Sequence, residues 1–100
     1  MPTDGTSRGL AAGEAATAVA TLAAATGVSQ AKAAYLLTMQ MLMQKQGGAL
    51  AIPLIAMAGA AIAEGWSAYT AMRSLAETQA ALVASLMRET QDAIAPRAQV

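Results

Sequence analysis

The chain has 100 residues, 56% of them apolar and 12% charged, and its six basic and six acidic side chains leave no net charge. It contains neither cysteine nor histidine, which excludes disulfides, the common zinc sites, cysteine nucleophiles and histidine-based triads. No basic cluster is present to neutralise a phosphate backbone, so direct nucleic-acid binding is not expected.

Residues 1–9, "MPTDGTSRG", are polar and contain Gly and Pro, which reads as a flexible leader. Residues 10–26 are rich in alanine, the strongest helix former, and Gly27 is free to take the left-handed conformation that closes a helix. The apolar part of this run lacks the leucine content of a secretory signal, and Asp4 and Glu14 are wrong for its flanks, so no signal peptide is expected. A second helix is predicted over about 29–46. Ser29 caps it, Leu36, Met39, Leu42 and Met43 recur at spacings of three and four, and Gly47-Gly48 ends it. A third, long helix is predicted over about 50–94, with Pro53 in its first turn and a bend near Gly65. Its first half is small and apolar. Its second half is amphipathic, with Tyr69, Met72, Leu75, Leu82, Val83, Leu86 and Met87 on one stripe. Residues 96–100, "PRAQV", read as a frayed tail. No period-2 alternation occurs, so the fold expected is all-α. One helical domain over 10–95 forms a hairpin or extended bundle that oligomerisation completes.

Residues 47–63 carry no charge. As a helix they reach about 25 Å, against a hydrocarbon core of about 30 Å. Leu50, Ile52, Leu54, Ile55 and Ile62 favour insertion by roughly 0.3–0.6 kcal/mol each, a sum that one central charge cancels. Lys45, Trp66, Tyr69 and Arg73 resemble interfacial anchors. Ala56 with Ala60, and Gly59 with Ala63, give the small-residue spacing that lets helices approach closely. The surface expected to meet lipid or other subunits is therefore Leu50, Ile52, Leu54, Ile55, Gly59, Ile62, Trp66 and Tyr69. A secondary assembly face comprises Leu36, Met39, Leu42, Met43, Met72, Leu82 and Leu86, where methionine packs adaptably.

No phosphate-binding loop is present, and Ser29–Lys32 matches S-x-x-K without the companion motifs of acyl-enzymes. No cofactor, metal or catalytic residue is expected. Residues 51–86, "AIPLIAMAGAAIAEGWSAYTAMRSLAETQAALVASL", resemble small internal virion proteins that tailed phages eject ahead of their DNA. That resemblance implies a non-enzymatic subunit, packed in the particle, that helps build a conduit across the host envelope. The function expected is a self-assembling helical structural subunit, with a homo-oligomer or larger protein assembly as partner, or a lipid bilayer, and a virion or membrane location. The alternatives are a small integral membrane protein, either a holin-like pore former or an accessory subunit, and a soluble filament or inclusion-body subunit.

Overall fold

The computed structural model describes the backbone of residues 4–44, 48–77 and 80–98, and the side chains of 10–44, 48–76 and 80–94. The fold is all-α, with no strand among the described residues. Five α-helices follow in order: α1 (Asp4–Thr26), α2 (Gln30–Met43), α3 (Ala51–Ala63), α4 (Ala68–Glu77) and α5 (Ala80–Ala98). A short 3₁₀ turn, Gly48–Leu50, leads into α3.

Alanine sets the character of α1. Ala11, Ala15, Ala18, Val19 and Leu22 are buried at helical spacing, so α1 lies close on its neighbours through small side chains. Thr17, Thr21 and Thr26 return their hydroxyl protons to carbonyls four residues back, at 2.7–3.0 Å, which lets a β-branched polar residue sit within the helix. Gly27, at φ 77°, then closes α1, its N–H donating to the Ala23 carbonyl at 2.8 Å. α2 begins as its sequence predicts: the Ser29 hydroxyl accepts from the Lys32 N–H at 3.2 Å.

α2 is the centre of the bundle, and α1, α3, α4 and α5 all pack against it. Its buried side chains include Ala33, Ala34, Leu36, Leu37 and Met41. They meet Leu50, Leu54, Val83, Met87 and the apolar face of α1 in one core. Every buried side-chain nitrogen and oxygen among the described residues has a hydrogen-bond partner. The radius of gyration, 13.0 Å, equals that of a compact domain of about 100 residues.

The helix boundaries correct several expectations. α1 starts at Asp4 rather than Leu10, so residues 4–9 belong to a helix and not to a loose leader. α2 ends at Met43, while the predicted end at about residue 46 falls outside the described residues. The single helix expected over 50–94 is divided. α3 stops at Ala63, and α4 leaves at 103° to it. Whether α4 and α5 join through residues 78 and 79 also lies outside the described residues. α5 continues through Pro96 to Ala98, where residues 96–98 were expected to fray. A proline in the last turn removes one ladder hydrogen bond without abolishing the turn around it.

Two glycines with open space around them separate backbone effects from packing. Gly27→Ala places a side chain at positive φ and is expected to cost about 1 kcal/mol. Gly13→Ala, inside α1, is expected to stabilise by about 1 kcal/mol. Urea denaturation of the two variants should therefore shift the midpoint in opposite directions.

Candidate interaction surface

The sequence offers one chemical theme, an uncharged helix with more apolar surface than one side can bury. α3 shows where that surface goes. Leu54, Ala58 and Ala61 face inward, and Leu50 in the preceding turn joins them. Ile52 is 70% exposed, Ile55 52% and Ile62 56%, and Ala56, Gly59, Ala60 and Ala63 are exposed beside them. At 100° per residue these seven positions cover close to half of the helix circumference, and none can carry charge. A monomer in water would ordinarily place charged side chains there.

The corner after α3 has a local cause. Gly65 takes φ 97°, its N–H donates to the Ile62 carbonyl, and the Trp66 N–H donates to the Ala61 carbonyl, both at 3.0 Å. This paired pattern satisfies carbonyls that a helix end would otherwise leave bare, and it needs a residue tolerant of positive φ. The Ser67 hydroxyl then accepts from the Thr70 N–H at 3.3 Å and caps α4.

The corner also decides the fate of Trp66. The ring is half-buried, edge-on to Tyr35 with centroids 5.9 Å apart, and the Lys32 Nζ stands 5.4 Å from its centre. A cationic head over an indole face is worth about 0.5–1 kcal/mol at a partly exposed site. Lys32→Gln is expected to destabilise by about that amount, with a change in the emission of the single tryptophan when read by fluorescence-monitored urea unfolding.

The predicted contact residues thus divide. Leu50, Leu54 and Leu36 are buried in the core cluster and present no surface to a partner in this fold. Trp66 packs on Tyr35 instead of standing free beside Tyr69, which is 74% exposed. Ile52, Ile55, Gly59 and Ile62 remain together on the outside of α3. Of the secondary face, Leu42, Met43 and Met72 are exposed, while Met39, Leu82 and Leu86 are half-buried against the core. Lys45 falls outside the described residues. Sequence reasoning missed Tyr35 and Lys32. Only three aromatic residues exist, and their tendency to pair was the one available signal.

Elsewhere, a half-open groove of about 210 Å³ runs between α1 and α5, lined by Glu14 and Ala18 from the one and Leu86 and Glu89 from the other. Thr17, Thr21 and Thr90 line it too, their protons already given to backbone carbonyls. No group of three or more His, Cys, Asp or Glu is placed to hold a metal ion among the described residues. No single helix within the described residues is long and apolar enough to cross a membrane. The bent pairs Leu10–Thr26 with Gln30–Met43, and Gly48–Ala63 with Ala68–Ala76, have the length and composition only when taken together. Compared with protein-family models, curated proteins and solved structures, the chain matches none of them.

Proposed function

We propose that this protein is a non-enzymatic structural subunit that assembles with further copies of itself through the outward face of α3. The observation that carries this reading is the exposed row Ile52, Ile55, Gly59 and Ile62, flanked only by alanines. Large apolar patches held in water mark interaction sites, and hydrophobic association is proportional to the area they remove from it. The small residues Ala56, Gly59, Ala60 and Ala63 allow another helix backbone to come close.

A protein partner fits this face better than a lipid surface does. Helices that lie in a membrane interface combine an apolar face with a strongly basic one, and α3 has no charged residue at all. The straight part of α3 covers about 20 Å, short of a hydrocarbon core of about 30 Å. Membrane insertion is the second reading, favoured by the span-like composition of Gly48–Ala63 with Ala68–Ala76. The resemblance of residues 51–86 to internal virion proteins extends the first reading to a particle component.

The absence of native cysteine permits a clean test. Under mild oxidation Gly59→Cys should form a disulfide-linked dimer, while Ala20→Cys on the exposed side of α1 should not. Equal linking at both positions, or none at Gly59→Cys, contradicts the reading. Uptake of the Gly59→Cys chain by liposomes without any cross-link would transfer the face to lipid.

A further inference from the structure

Ile52, Ile55, Gly59, Ile62, Trp66 and Tyr69 follow one another at spacings of three, four, three, four and three. That is the alternation of a helix seam, and it runs without a slip through the corner at Gly65. A permanent corner gives no reason to keep register across it. Glu64, the one charge in the interval, lies on the opposite side of the helix from this row. In the bent structure the row is interrupted: Trp66 turns onto Tyr35 and Lys32, and Tyr69 stands alone and exposed.

We infer that the α3–α4 corner is a hinge, and that it straightens when a second copy of this chain docks, to give one continuous seam from Ile52 to Tyr69. This rests on the self-association proposed above. The occupant follows from area and charge. A strip about 20 Å long on one helix falls short of the roughly 800 Å² per partner of a stable interface, and straightening adds a tryptophan and a tyrosine to it. The row carries no charge, so its complement is another uncharged helix face, and this chain supplies one.

The structure is poised for the change. α4 holds to the core through Ala71 and Leu75 alone among its described buried side chains. The bend depends on one residue, Gly65, at a φ that other residues resist. Glu64 and Trp66 on either side are compatible with helix, and Gly48–Ala63 with Ala68–Ala76 has the length and hydropathy of one long apolar helix.

Two substitutions move the hinge in opposite directions. Ala68→Pro puts proline at the first position of α4, harmless in the bent form but incompatible with a helix running through it. Gly65→Ala disfavours the bend, and its Cβ meets no other atom. The test uses the full chain labelled at Ala49→Cys and Ala76→Cys, both exposed. Their separation is about 25 Å across the corner and about 40 Å along a straight helix. We expect the distance to lengthen towards the larger value as concentration drives association. Ala68→Pro should keep the short distance and weaken association at least tenfold, with unchanged helix content at dilution; Gly65→Ala should strengthen association. Association at an unchanged short distance would overturn the hinge and leave the docking face standing. No association at any concentration would overturn both.

Discussion

Leu54→Ala is expected to lower the free energy of unfolding by about 2–5 kcal/mol, whereas Ile55→Ala, one position along, should change it by less than about 0.5 kcal/mol. The two side chains have similar size and sit on the same helix. Leu54 is 1% exposed and packed in the cluster that joins α3 to α2, so its truncation removes transfer energy and leaves a cavity. Ile55 points into water and loses little. For a domain of this size the Leu54 change corresponds to a fall in Tm of about 10 °C or more. Thermal unfolding at a concentration below assembly reads both. Equal losses would mean that α3 is rotated from the orientation described.

The second large effect falls on the other face. Ile55→Arg should weaken self-association at least about a hundredfold, because an unpaired charge taken out of water costs several kcal/mol and each 1.4 kcal/mol is a factor of ten. Folding should survive, since the new side chain projects from a position already half open to solvent. Ala20→Arg, on the exposed side of α1, supplies the comparison and should associate like the parent chain. Size-exclusion chromatography at matched concentration, beside circular dichroism for helix content, separates lost assembly from lost fold. Parent-like elution of Ile55→Arg would remove α3 from the account.

Local chemistry was the most legible part of the sequence. The Ser29 cap, the Gly27 stop and the placement of Pro53 in the first turn of α3 follow from the needs of helix ends. The absence of β pattern likewise led directly to an all-helical fold. Orientation was less legible. Residues 50–63 are apolar all round, so no polar stripe shows which side turns inward, and Leu54 and Ile55 look equivalent until α2 chooses between them. The corner at Gly65 was visible as a weak point, but its 103° angle depends on hydrogen bonds from Gly65 and Trp66 back to α3. The pairing of Trp66 with Tyr35 is a contact 31 positions apart, which helical periodicity does not reach. The start of α1 at Asp4 was missed because Gly5 and Gly9 read as breakers, although a helix tolerates an isolated glycine at a cost of about 1 kcal/mol.

Self-association through the outward face of α3, as proposed, is open to sedimentation equilibrium in detergent-free buffer across a wide concentration range. The weight-average mass should rise from 10.0 kDa towards a multiple of it, with Ile55→Arg held at the lower value. A mass of 10.0 kDa at every concentration, or the same rise in Ile55→Arg, would contradict it.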